Sequence, residues 1–253
     1  MPAIGARHRI RAMIPTAWST PMTDYLFPVP EIRSLAVKGE GARYGVQRIF
    51  CVGRNYAEHA AEMGYEVDRE KPFYFMKSAS ALEPSGATIP YPPGTENFHY
   101  EMELVVAIGA PAFKADRAAA ARAVYGYACG LDMTRRDLQL SERAKQRPWD
   151  LGKNFERSAV VGDIVKAGEV GEIGPQRIHL SVNGVTKQDA HLSDLVWKVD
   201  EIISHLSGFY HLQPGDLIMT GTPAGVGPVV AGDRIAGGID GLGEIALAIA
   251  EAE

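Results

Sequence analysis

His99-Tyr100-Glu101-Met102-Glu103-Leu104-Val105-Val106-Ala107-Ile108-Gly109 decides how this chain folds. The run alternates and is rich in β-branched residues, so it reads as one β-strand, and a period of two sends Glu101 and Glu103 to the same face. Met102, Leu104, Val106 and Ile108 take the opposite face, a core-facing set that keeps the strand from rotating its acids out to water. Two carboxylates held side by side repel each other unless a cation or a proton sits between them.

Asp132 follows the apolar run 124–131, which also reads as a buried strand. Three carboxylates with no Cys or His at zinc-like spacing suit a hard divalent ion: Mg²⁺ or Mn²⁺, with Ca²⁺ as a substitute. The residues alone leave a second reading open, in which Glu101 and Glu103 line a solvated sheet face and Asp132 starts a turn.

A chain of 253 residues fits one substantial core, at roughly 100 to 200 residues per domain. With 46% apolar and 23% charged residues it has an ordinary soluble composition, and no window approaches the ~18 consecutive apolar residues of a membrane span, so no membrane partner is expected. A net charge of −5 without a Lys/Arg tract argues against nucleic acid and leaves a small molecule as the partner. Cys51 and Cys129 form no Cys-x-x-Cys pattern and lie in apolar runs, which points to buried free thiols in a reducing compartment, the cytoplasm.

Residues 1–21 carry Arg7, Arg9 and Arg11 without an acid, and Pro2, Gly5 and Pro15 break any secretory apolar run. They read as a disordered extension before a natural start at Met22; an organelle transit peptide is the alternative that their charge allows. Residues 22–47 read as an N-terminal arm and 48–253 as the catalytic domain. Within the latter, strands are expected over 47–52 and 72–77, a loop over the proline-rich 84–97, and a helix over 115–124. A hairpin turns at Asn183-Gly184, an amphipathic helix begins at Ser193, and strands follow over 214–223 and 243–250. Many short strands and few helices make a mainly β, α+β architecture.

Asn55 followed by Glu58 has the form of a helix start, with Gly64 placed to end the helix. His59 and Glu62 then share a face, either as a surface pair or as a base in which the carboxylate orients the imidazole. Three carboxylates and one divalent cation sum to −1, so an anionic substrate requires further cations, for which Arg54, Lys77, Arg136 and Lys153 are candidates. The competing reading pairs some of these with Asp137 or Asp150. Backbone N–H groups and the Thr222 hydroxyl in Thr220-Gly221-Thr222-Pro223 suit a carboxylate, and neither a nucleotide loop nor a G-x-S-x-G elbow is present.

Five blocks, 51–56, 99–104, 130–137, 153–155 and 215–223, resemble in sequence and in order the signature blocks of the fumarylacetoacetate hydrolase family. Met133-Thr-Arg-Arg-Asp-Leu-Gln139 followed by Arg147-Pro-Trp-Asp-Leu-Gly-Lys153 resembles the family's branch that hydrolyses fumarylpyruvate in gentisate breakdown. The resemblance implies a mixed β-sandwich roll, a homodimer, and metal-dependent hydrolysis of a carbon–carbon bond in an anionic 2,4-dioxo acid. It also implies that Glu101, Glu103 and Asp132 hold the metal, that His59 and Glu62 activate water from a lid helix, and that Lys153 and Lys77 approach the metal. Gln139 and Thr222 would orient substrate, with Arg54 or Arg136 at its distal carboxylate. Decarboxylation of oxaloacetate, or isomerisation of hydroxymuconate-type acids, is the alternative for the same site; a metal-stabilised binding protein is a third reading.

Overall fold

The run 99–109 is two strands, Phe98–Tyr100 and Met102–Ile108, and Glu101 is the joint between them. This corrects the expectation of one continuous strand, and the reason is tertiary. Phe98–Tyr100 pairs with Thr134–Arg135 and Gly227–Val229 in a three-stranded sheet, whereas Met102–Ile108 runs through the middle of an eight-stranded one. The structure, a computed structural model, describes residues 24–64 and 69–253, so the extension expected over 1–21 lies outside the described residues. The chain divides into units 1–31 and 32–253, and both of these sheets belong to the second.

The eight-stranded sheet runs Phe73–Lys77, Arg48–Gly53, Asp216–Met219, Met102–Ile108, Val124–Asp132, Ala159–Val161 and Leu82–Pro84, with Val165–Lys166 also on Val124–Asp132. The five-stranded sheet runs Val185–His191, Arg177–Val182, Arg234–Ile239, Gly243–Ala250 and Ala87–Pro90. Both contain parallel and antiparallel pairs, which makes the roll a mixed one.

Met102, Leu104, Val106 and Ile108 pack in one cluster with Leu180, Ile235 and Leu247 of the five-stranded sheet. The other face is buried as well: Val105 and Ala107 join Leu35, Val37 and Val46 of the arm in a second cluster. At roughly 25 cal/mol per Å² of apolar area, this two-sided burial fixes the register of the carboxylate strand. The arm closes one end of that second face, and the acidic residues occupy the other end.

Several local expectations shift by a few residues. The segment read as a loop over 84–97 contains the strand Ala87–Pro90, whose proline is tolerated because it ends a strand at the sheet edge. Asn55 does not cap the helix Ala57–Glu62; the N-cap is Tyr56, and the Asn55 amide instead bonds Trp197 and the Thr220 carbonyl. The amphipathic helix is Val199–Ser207, preceded by a single 3₁₀ turn, Leu192–Asp194. The hairpin turns at Asn183 and Gly184, both at positive φ, and the helix Arg117–Arg122 is capped by Asp116. A helix not read in the sequence, Arg136–Ala144, follows Thr134–Arg135 directly.

Candidate active site

Three crossings between the eight- and three-stranded sheets converge on one point. The chain passes from one sheet to the other at Glu101, returns after Asp132, and crosses again between Met219 and Gly227. The Asp132 amide donates to the Glu101 carbonyl at 2.9 Å, and the Gly221 amide donates to Glu103 Oε2 at 2.7 Å. Gly221 is at φ +100, and a Cβ there would meet Asn55 Cβ and the Val52 carbonyl, so only glycine brings this N–H to the carboxylate.

Glu101, Glu103 and Asp132 are buried and place one oxygen each within 4.8 Å of the others. Burial, followed by the charges of Asp132 and Glu101, pushes the Glu103 carboxyl well above the usual range. Asp132 Oδ1 lies 2.8 Å from Lys77 Nζ but receives no hydrogen bond, so a buried carboxylate oxygen retains an unused lone pair. A clustered all-oxygen donor set of this kind, with one member driven to hold a proton, fits a hard divalent cation in place of that proton.

Buried cations surround the triad. Lys153 Nζ donates at 2.7 Å to Glu101 Oε2, Asp132 Oδ2 and Thr134 Oγ1, using all three of its N–H bonds. Arg136 donates through Nη2 to Glu101, through Nη1 to Gln139 Oε1 at 2.5 Å, and through Nε to His99 Nδ1 at 3.4 Å. Desolvation alone would raise Glu101, but Lys153 and then Arg136 outweigh it and hold that carboxyl well below its usual range. Burial, then Arg136, lowers His99 to about 4, so its neutral ring accepts from Arg136 while Nε2–H donates to Asn97 Oδ1 at 2.8 Å.

A cavity opens on this cluster. Every residue singled out from the sequence lines it except Lys77 and Glu62. Lys77 is fully buried behind Asp132, where it donates to the Met133 carbonyl at 3.1 Å, to Ser158 Oγ at 3.0 Å and to the Lys153 carbonyl; the substrate contact expected of it is not what the structure places there. Glu62 stands behind His59, with Oε2 3.0 Å from His59 Nδ1, and accepts from the Gly225 amide. Arg136 lines the cavity, yet its guanidinium is committed to Glu101, Gln139 and His99.

Gln188 was not anticipated. Its Oε1 accepts from the Met102 amide at 3.0 Å, and its Nε2 donates to Thr222 Oγ1 and to the Pro223 carbonyl, both at 2.8 Å. One buried amide thus ties the carboxylate strand to the Thr222 turn. It is the one fully buried position in Val185–His191, an edge strand with no alternating pattern, opposite the bulge between Leu180 and Ser181.

A mixed β roll that gathers three carboxylates, bridging cations and a histidine–glutamate pair around one cavity defines an enzyme built for a hard divalent cation. The chain belongs to the fumarylacetoacetate hydrolase family: the family model described as "Fumarylacetoacetate (FAA) hydrolase C-terminal" matches residues 48–250. It is 56% identical over 194 residues to the fumarylpyruvate hydrolase of a Ralstonia species, covering 76% of this chain and 100% of that one. It is 41% identical over 196 residues to human mitochondrial oxaloacetate tautomerase FAHD1, covering 78% of this chain and 88% of that one. Among solved structures, fumarylpyruvate hydrolase from Pseudomonas aeruginosa in complex with Mn²⁺ and pyruvate superposes with a TM-score of 0.86 at 46% identity, over 90% of this chain and 100% of that chain.

Proposed function

We propose that residues 32–253 form a metal-dependent hydrolase that cleaves fumarylpyruvate with water to fumarate and pyruvate. The observation that carries the reading is that His59, held by Glu62, lines the same cavity as the acidic triad. The likeness to a fumarylpyruvate hydrolase at 56% identity, and to one solved with Mn²⁺ and pyruvate, supports it.

A divalent cation held by Glu101, Glu103 and Asp132 supplies Lewis-acid polarisation of the 2-oxo acid end. Glu62, accepting from Nδ1–H, fixes the tautomer that leaves His59 Nε2 free to take a proton from water. The water oxygen bonds to C4 of the substrate. As C3–C4 breaks, its electron pair passes to C3 and spreads into the 2-oxo group, and Lys153 holds a positive charge beside that region. C3 then takes a proton and pyruvate leaves; fumarate keeps the water oxygen.

Two further residues are set up as donors. The Gln139 carbonyl is occupied by Arg136, which leaves its NH₂ group for substrate, and Thr222 Oγ1 accepts from Gln188, which leaves its O–H to donate. Lys77 acts as a positioning cation behind Asp132. Gentisate catabolism, a cytoplasmic location and a homodimeric assembly complete the reading, and light scattering checks the last.

The test offers fumarylpyruvate and oxaloacetate separately, with Mg²⁺ or Mn²⁺ and with chelator, and quantifies fumarate, pyruvate and CO₂. Equal fumarate and pyruvate, lost with chelator and restored by Mn²⁺, is the expected result. Release of CO₂ and pyruvate from oxaloacetate with fumarylpyruvate untouched refutes the hydrolase. The His–Glu pair favours hydrolysis over those reactions because only hydrolysis needs an activated water.

A further inference from the structure

The cavity does not end at the triad. A second hollow continues outward from it and shares Arg54, Phe75, Arg143, Trp149 and Lys153 with the inner one. The two are joined along the helix Arg136–Ala144, whose residues Arg136, Gln139 and Arg143 all face the inner cavity at a spacing of three and then four. Arg136 and Gln139 are buried at the triad end, and Arg143, partly buried, is seven residues further on. At 1.5 Å rise per residue that step is about 10 Å along the helix axis.

The length is chemically meaningful. The two carboxyl carbons of an extended seven-carbon dioxo diacid are six carbon–carbon bonds of about 1.5 Å apart, which in zigzag span roughly 7 to 8 Å. Adding the ~2.8 Å of a charge-assisted hydrogen bond at the far end gives about 10 Å. The walls between the ends suit a flat unsaturated chain: Trp149 packs its ring 5.0 Å from Phe73 and 6.0 Å from Phe75, centroid to centroid. Arg54 leans over the Phe73 ring at 5.6 Å and is held at φ +60, a backbone conformation unusual for a residue with a Cβ.

Resting on the function proposed above, we propose that Arg143, together with Arg54, is the specificity determinant for the distal carboxylate, so that the helix Arg136–Ala144 acts as a ruler selecting 2,4-dioxo diacids of fumarylpyruvate length over acylpyruvates that end in an uncharged group. Arg136 serves the other end, where it bonds Glu101, Gln139 and His99 beside the triad. The guanidinium fork of Arg143 matches a carboxylate in two parallel hydrogen bonds, and Phe75 and Trp149 line the space between.

The experiment compares kcat/KM for fumarylpyruvate and for acetylpyruvate, which has the same reacting end and no distal carboxylate, in the wild type, Arg143→Gln and Arg143→Lys. Arg143→Gln is expected to lower kcat/KM for fumarylpyruvate on the order of 50-fold, as loss of a charged hydrogen bond predicts, and to leave acetylpyruvate within about 2-fold. Retained acetylpyruvate turnover shows that the variant is folded. Arg143→Lys should recover part of the loss, because the charge returns without the fork. An equal fall for both substrates, or no change for either, overturns the ruler while leaving the hydrolase standing, as does a wild type that shows no preference for fumarylpyruvate. A wild type that hydrolyses neither substrate overturns the hydrolase and this inference with it.

Discussion

At the inner end of the cavity the polar groups are tied down: Lys153 spends three N–H bonds on two carboxylates and Thr134, Arg136 is bonded through all three of its nitrogens, and both side chains are buried. Elsewhere on the cavity, His59 rides on Ala57–Glu62, a six-residue helix whose N-cap makes no side-chain bond and which buries only His59 and Ala60. A helix that short has no stability of its own in water. Its place relative to the triad is held by the Gly225 amide on Glu62, made possible because Gly225 adopts φ +94 against the Lys187 carbonyl. One region keeps three anions at fixed spacing through its own bonds; the other carries its histidine on a single short helix.

The sharpest way to break this contrast is Asp132→Asn, which leaves Lys77 and Lys153 buried with one anion fewer. A loss of about 3 to 5 kcal/mol in urea unfolding is expected, with no measurable turnover. Unchanged stability would show that the inner network is not what holds this end together. His59→Ala should do the opposite, lowering kcat on the order of 10²- to 10⁴-fold while the melting temperature and Mn²⁺ affinity stay put. If calorimetry finds weaker Mn²⁺ binding in that variant, the two regions are not separable.

Gln188→Leu probes the tie between the carboxylate strand and the Thr222 turn. It leaves the buried Met102 N–H and Pro223 carbonyl without a partner, so about 1 to 3 kcal/mol of stability should be lost. The smallest effect is expected from thiol reagents. Burial pushes Cys129 up to about 12, and burial followed by the Asp132 charge pushes Cys51 well above its usual range. Neither thiol should react at pH 8 in the folded protein, and both should react in urea; labelling of the native state would reveal opening that the packing does not suggest.

The triad was legible because alternation and apolar flanks are local signals that survive folding: Glu101 and Glu103 two apart, and Asp132 closing an apolar run. The break at Glu101 was not, since Tyr100-Glu101-Met102 contains neither Gly nor Pro and the cause lies in the strands that each half finds as neighbours. The same holds for the inward members of the network. Lys77 meets Ser158 across 81 residues and Gln188 meets Met102 across 86, and no periodicity records such pairings. Lys77 was misplaced for a related reason: a lysine at a strand end reads as a surface or substrate charge until the strand is known to end inside. The helix Arg136–Ala144 escaped because it has a mean polarity typical of loops and shows its purpose only through the face formed by Arg136, Gln139 and Arg143.

Three of the crossings between the eight- and three-stranded sheets end on carboxylates or their immediate donors. A cation bound there would tie two neighbouring strands and the joint at Glu101 as well as serve a reaction, and by mass action a ligand at about 100 times its Kd adds roughly 2.7 kcal/mol to folding. Thermal midpoints should therefore climb with Mn²⁺ concentration even in the inactive His59→Ala protein. In a cell starved of the cation, the consequence is one of abundance: the unloaded chain opens more often at that seam, proteases find it, and the supply of metal sets how much of the protein persists.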